Sequence, residues 1–291
     1  MLIVEELNRL HPEVEAAVAQ LFQKAYENQQ HEQDLLLAIE NAAYDKSLEG
    51  NSLRLSPYVI GPQGIGWAYK AIYDYLKSYE DSYIVDNDII KSNTKSGDTK
   101  QIREWEEQES IAIQLGLYAY LKFWESDYII RHFYQLTNLA CGEPYDWHLN
   151  FDEEKSRQKT VRVKIRNRLQ SISPLFYDLL RNSYKPQLRN AIAHSLYYFI
   201  GSTIHFMNYG TNPGDDLNVL KFDELRTYLH YTFLLFNEII GQRLKWHKTY
   251  GDKALKESEK LEILITKKKI EEQATTNLKY YPTQDRWGYQ Q

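Results

Sequence analysis

Residues 184–196 read Y-K-P-Q-L-R-N-A-I-A-H-S-L, and this run decides how the rest of the chain is read. Pro186 suits the first turn of a helix, where a missing N–H costs no hydrogen bond. From that start Leu188, Ala191, Ile192 and Leu196 recur on one side at 100° per residue, the side expected to face a core. Asn190 and His194 stand four apart and project together from the other side. Arg189 lies at the border, where its stem can cross apolar surface while the guanidinium turns toward the imidazole.

Most segments on either side of this run carry the same helical rhythm. Val14, Ala17, Val18, Leu21 and Phe22 predict a helix over 12–28, with Pro12 in its first turn. Leu35, Leu36, Ile39 and Ala42 predict another over 32–46. Glycines and prolines at 50, 57, 61, 62, 64 and 66 mark an irregular connection over 49–66, and residues 67–80 resume as an aromatic-rich helix. A polar loop is expected over 91–100. A long helix follows over 101–124, with Ile102, Trp105, Ile111, Ile113, Leu117 and Leu121 inward, and its neighbour spans 125–138. Residues 139–152 read as a loop. A helix over 222–247 packs through Leu225, Leu229, Phe233, Leu234, Phe236 and Ile240.

Three stretches are less regular. V-R-V-K-I-R-N-R-L, 161–169, alternates as a strand would, but Val161, Ile165 and Leu169 are four apart, and helix is favoured. Residues 197–209 are aromatic and β-branched around Gly201 and Ser202, which predicts a small β-hairpin. Residues 211–216 form a turn or loop. Residues 253–272 read as a charged exposed helix and the last stretch as a mobile tail. The expected fold class is therefore all-α, a helical bundle with a small hairpin after the motif helix. The expected divisions are a helical region over 1–149, a core over 150–248, and a charged helix with a flexible tail over 249–291.

Composition narrows the function. A formal net charge of −5 argues against broad coating of nucleic acid, though not against a local basic groove. Cys141 is the one cysteine, so an intrachain disulfide and zinc sites built on several cysteines are excluded. The opening residues lack the basic flank and apolar run of a signal peptide, and no stretch approaches 18 uncharged apolar residues. The expectation is a cytoplasmic protein with no membrane partner.

Arg189, Asn190 and His194 supply much of what metal-free RNA cleavage needs. Histidine titrates near neutrality and can remove the ribose 2′-hydroxyl proton. Arginine holds phosphate with paired donors and keeps its charge. Asparagine can orient the imidazole or bind a phosphate oxygen. One set lacks a separate acid for the leaving 5′-oxygen, which two facing copies would provide. The plainer alternative pairs Arg189 with Asp178 or Glu238 and sets His194 on a backbone carbonyl near the helix end.

The run L-R-N-A-I-A-H-S, 188–195, resembles the signature of the HEPN superfamily, R-x-x-x-x-H with Asn, Asp or His commonly after the arginine. Its surroundings are similar too: a long helix before it, S-Y-K-P-Q leading in, an aromatic partly extended stretch after it, then a helix opening K-F-D-E-L. The resemblance covers about 150–245. It implies an α-helical bundle that dimerises with its motifs facing across a cleft. It also implies metal-independent endoribonuclease activity of the toxin–antitoxin, abortive-infection or antiviral-defence type. Arg189, Asn190 and His194 would be catalytic, the partners RNA, a second copy and an antitoxin or defence protein, and no cofactor is implied. Other members are noncatalytic and hold a nucleotide or a partner.

For the substrate, Lys155, Arg157, Lys159, Arg162, Lys164, Arg166 and Arg168 form the densest basic cluster, expected to pack beside the motif helix and touch phosphate. An ordinary solvated face explains it equally well. Arg181 and Lys185 are second-line phosphate contacts, and Tyr184, Tyr197 and Tyr198 are candidates for stacking on an unpaired base. His132, His148, His194 and His205 are too scattered for a metal site, and Asp215 and Asp216 lack an acidic partner at metal-like spacing. No metal is expected.

Overall fold

The computed structural model describes residues 3–50, 57–60, 70, 73–74, 76–78, 99–149, 157–209, 217–257, 259–266 and 273–289. Helices dominate: α1 Ile3–Asn28, α2 Asp34–Ile39, α3 Thr99–Glu125, α4 Asp127–Ala140, α5 Pro174–Ser183, α6 Pro186–Ala193 and α7 Phe222–Lys256. Three small antiparallel sheets accompany them. The first pairs β1 Ala43–Tyr44 with β2 Tyr58–Val59, and the second orders β3 Tyr197–Ile200, β4 Thr203–Phe206 and β5 Val219–Lys221. The third orders β6 Lys260–Thr266, β7 Gln273–Tyr281 and β8 Arg286–Tyr289. The architecture is predominantly helical with minor β elements, so the all-α expectation holds only in its main part.

The chain forms two compact units, each discontinuous in sequence. One holds residues 1–15, 67–126 and 178–237, and the other 16–66, 127–177 and 238–291. In the first, Trp124 near the end of α3 packs its ring on Phe123 and Tyr184, and Phe123 meets Phe236 of α7 edge-on. Trp124 is fully buried, and its indole N–H donates to Thr232 Oγ1 at 3.3 Å, so burial leaves the ring's polar atom satisfied. In the second, α2 packs on α4, and Phe133 of α4 meets Phe176 of α5.

Several boundaries differ from the sequence reading for identifiable reasons. α1 begins at Ile3 and runs through Pro12, because Leu10, Val14, Ala17 and Val18 bury one continuous face. Proline inside a helix forfeits one backbone bond, and the buried stripe on either side offsets that loss. α2 stops at Ile39 rather than near 46. Asn41 takes a left-handed φ of 50°, and the N–H groups of Asn41 and Ala42 turn back to Ala38 and Leu37. That closing pattern ends a helix, and asparagine tolerates its left-handed residue well. Ile111 faces solvent, whereas Ile113 and Leu117 are buried and Leu121 is half-buried. The side chains of Ile102 and Trp105 lie outside the described residues, as does the loop over 211–216.

Segment 157–169 is helical, as favoured over strand, but irregular. It runs from a short α turn into a wider π turn over Thr160–Ile165 and a tighter 3-10 turn over Arg166–Leu169. Val161, Ile165 and Leu169 are buried as their spacing requires. The helix does not continue from there: Pro174 starts α5, and proline pushes the residue before it out of helical geometry.

The largest correction lies at the C-terminus. The expected helix over 253–272 and mobile tail are replaced, among the described residues, by the end of α7 and the β6–β8 sheet. Glu259 adopts a left-handed φ of 62°, turning the chain out of α7 into β6. Leu261 and Ile263 then alternate inward and bury, while Leu278 and Trp287 bury on β7 and β8. Alternation with β-branched residues selects the strand over the helix suggested by the charge run. Tyr280 lies against α7 at Gly251, where an added Cβ would come within 2.9 Å of its ring.

Candidate functional site

The motif helix α6 occupies Pro186–Ala193, with Pro186 in its first turn as expected. Leu188, Ala191 and Ile192 are buried, the first two completely. Burying the two larger of these contributes about 1.5–3 kcal/mol each, which fixes the helix by its apolar stripe. Tyr120 of α3, itself fully buried, holds the start: its hydroxyl accepts the Lys185 N–H at 2.8 Å. Burial pushes the Tyr120 hydroxyl well above the usual tyrosine range, so it remains a neutral partner.

The end of α6 sets the position of His194. His194 is the capping residue, Ser195 follows with a left-handed φ of 55°, and Leu196 N–H returns to Ala191 O at 2.8 Å. Ser195 N–H reaches Ile192 O at 3.3 Å. These two bonds form a Schellman turn. The turn satisfies the last carbonyls of the helix through backbone alone, and the His194 side chain stays exposed.

Arg189 and Asn190 meet each other. Arg189 Nη1 donates to Asn190 Oδ1 at 2.8 Å, and Nη2 forms an ion pair with Glu125, the last residue of α3. The arginine side chain is 20 % exposed and the glutamate 31 %. Glu125 thus takes the role that spacing offered to Asp178 or Glu238, and Asp178 instead lies 3.8 Å from Arg181. Nothing in the local spacing points to Glu125, because it comes from a separate helix.

The other candidates fall at different places. Lys185 Nζ donates to Arg181 O at 2.7 Å and sits 5.0 Å from the Tyr228 ring centre, so it lies at the start of α6. Tyr184 is buried against Trp124 and is removed from the stacking candidates. Tyr197 is half-buried beside Phe199, and burial raises its hydroxyl pKa. Tyr198 is exposed and stacks on His205. Gln187 ties the β3–β5 sheet to α6: its amide donates to Leu217 O at 2.8 Å and accepts Leu217 N–H at 2.7 Å.

Arg162, Lys164, Arg166 and Arg168 belong to the other compact unit, where their segment packs on α4. Arg168 is committed there, donating to Asn138 Oδ1 at 2.7 Å and pairing with Glu143 at 2.7 Å. Arg166 donates to Asn167 Oδ1 at 3.1 Å, and Arg162 is exposed.

Among the described residues, no group of three or more His, Cys, Asp or Glu is placed to hold a metal ion, and no helix is long and apolar enough to cross a membrane. No protein-family model, curated protein or solved structure matches this chain.

Proposed function

We propose that the protein is a metal-independent endoribonuclease, a toxin or antiviral-defence effector of HEPN type acting as a homodimer. The observation that carries this reading is the division of labour on α6: an exposed imidazole at its end and a guanidinium held in place five residues earlier. His194 takes the proton from the ribose 2′-hydroxyl, which attacks the adjacent phosphorus and expels the 5′-oxygen. Arg189 stabilises charge on the phosphorane, using guanidinium donors beyond the two engaged by Glu125 and Asn190. Asn190 orients the guanidinium it already touches. The second copy's motif protonates the leaving oxygen.

The deciding experiment incubates purified wild type and His194→Ala with mixed RNA in EDTA and maps the ends. Wild type is expected to leave 2′,3′-cyclic phosphate or 3′-phosphate and 5′-hydroxyl termini, and His194→Ala to leave the RNA whole. Undiminished cleavage by His194→Ala, or a strict magnesium requirement, overturns the reading. One observation favours a second reading, a noncatalytic protein that holds a nucleotide or partner: Glu125 already neutralises Arg189. Nucleotide binding without RNA cleavage by the wild type would select it.

A further inference from the structure

The β3–β5 sheet has two unlike faces. Its register sets Phe199, Ile204 and Leu220 in one row and Tyr198, His205 and Val219 in the next, and side chains in successive rows point to opposite faces. Ile204 and Phe206 are buried, and Phe199 meets Phe222 edge-on at 5.2 Å, so theirs is the inward face. The outward face presents Tyr198, Ile200 and Val219, each about half exposed, together with His205, Thr203 and Lys221.

Two features of that outward face fit one ligand. Tyr198 and His205 are direct cross-strand partners with ring centres 5.0 Å apart and planes only 12° from parallel. Each ring covers one face of the other, which holds both in place, and a nucleobase can extend such a stack because every base has a π-face. The charge is also suited to a polyanion. Residues 194–209 and 217–221 contain no Asp or Glu but include His194, His205 and Lys221, in a chain whose net charge is −5. Asp215 and Asp216 fall between these two stretches, outside the described residues; among the described residues, carboxylates bond the sheet at the hairpin tip, where Glu109 accepts from Ser202 and Glu224 accepts the Lys221 N–H. The opposite end leads to the motif: Met207 N–H bonds Leu196 O, two residues after His194. Tyr198 is four positions after His194, so even a fully extended chain would hold them at most about 13 Å apart, or about four nucleotides of a stacked strand, and the turn at Ser195 shortens that span.

We propose that the outward face of the β3–β5 sheet, centred on the Tyr198–His205 stack, is a platform on which unpaired RNA bases stack while the strand passes His194. This rests on the ribonuclease reading above. It assigns single-stranded RNA as the ligand class, keeps Tyr198 among the stacking candidates, adds His205 and drops Tyr197, which lies on the inward face.

The test measures fluorescence anisotropy of a short labelled single-stranded RNA in EDTA with the full-length His194→Ala protein, which binds without cleaving. Adding Tyr198→Ala is expected to weaken binding by about 10-fold or more, while Tyr198→Phe, which keeps the ring, stays within about two-fold. An abasic oligomer of equal length tests the idea without altering the platform and is expected to bind as weakly as the Tyr198→Ala protein binds intact RNA. In the cleaving protein, Tyr198→Ala is expected to raise KM and spare kcat. Equal affinity of Tyr198→Ala and its parent, or of abasic and intact RNA, overturns the platform even if wild type cleaves. A Tyr198→Ala protein that changes only its oligomeric state overturns it too, and marks the face as a contact between copies. RNA binding that depends on Tyr198 without any cleavage by the wild type leaves the platform standing and removes the nuclease reading.

Discussion

Glu125 closes α3 by holding the guanidinium of Arg189, so the motif arginine is positioned by a carboxylate from another helix. Both groups are partly exposed, which limits the attraction through solvent screening. Removing the glutamate nevertheless leaves a largely covered cation with one partner fewer. Glu125→Ala is expected to cost about 1–2 kcal/mol in urea unfolding, and less as salt is raised. A double-mutant cycle with Arg189→Ala isolates the pair, and a coupling energy of about 0.5 kcal/mol or more is expected. Additive single effects would show that the contact contributes nothing.

His247 supplies a pH-dependent contact. From α7 its Nδ1 lies 2.7 Å from Glu40 at the end of α2, and its Nε2 lies 3.0 Å from Asp285 between β7 and β8. Both ring nitrogens face carboxylate oxygens, so both donate only when the ring is an imidazolium. Tyr280 also donates to Asp285, at 2.6 Å, Arg243 donates to Ile39 O beside Glu40, and Asp252 acts on Tyr280. The hydrogen bond to Glu40, with further help from Asp285, raises the histidine above its ordinary value. A raised pKa gives stability that is complete below the unfolded value of about 6.5 and is lost as pH rises through the folded one. The stability difference between wild type and His247→Gln is therefore expected to be largest at mildly acid pH and to shrink as pH rises. A difference that stays constant across this range would show that the proton has no part in the contact.

How much the sequence reveals depends on how local the cause is. Pro186, Leu188, Ile192 and the hairpin around Gly201 announce themselves, because turn chemistry and periodicity act within a few residues. Glu125 does not, since no spacing rule links the end of one helix to the middle of another. The Glu40–His247–Asp285 contact is equally silent, assembled from three distant stretches. At the C-terminus both kinds of signal were present. The K-K-K and E-E runs flanking Ile270 suggested an exposed helix, while Leu261 and Ile263 carried the strand alternation that decides the described residues.

Ser195 offers a test of how His194 is positioned. It holds a left-handed φ of 55° without being glycine, a conformation in which its Cβ is crowded against the backbone. Ser195→Gly keeps the turn and removes the crowding, so it is expected to add about 0.5–1 kcal/mol of stability and raise Tm by about 1–2 °C. Ser195→Val, branched at Cβ, is expected to do the reverse. Destabilisation by glycine would show that the serine side chain, rather than its backbone, holds the turn.

The proposed dimer makes a prediction that no single-chain site shares. If one motif supplies the base and its counterpart the acid, neither copy is sufficient alone. Arg189→Ala and His194→Ala homodimers are each expected to lose roughly 10²–10⁴-fold in rate, with folding confirmed by circular dichroism. Asn190→Ala is expected to lose less, because asparagine neither carries charge nor transfers a proton. Mixing wild type with excess His194→Ala under exchange conditions forms mixed dimers with one histidine, which lack the base or the acid. Cleavage is expected to fall further than dilution of wild-type chains explains, on RNA with a 2′-hydroxyl at the scissile position, while its 2′-deoxy or 2′-methoxy counterpart stays whole in every mixture. Light scattering that finds only monomer at micromolar concentration while wild-type cleavage is intact would remove the paired site. The base, and whatever supplies the acid, would then have to be sought within one copy.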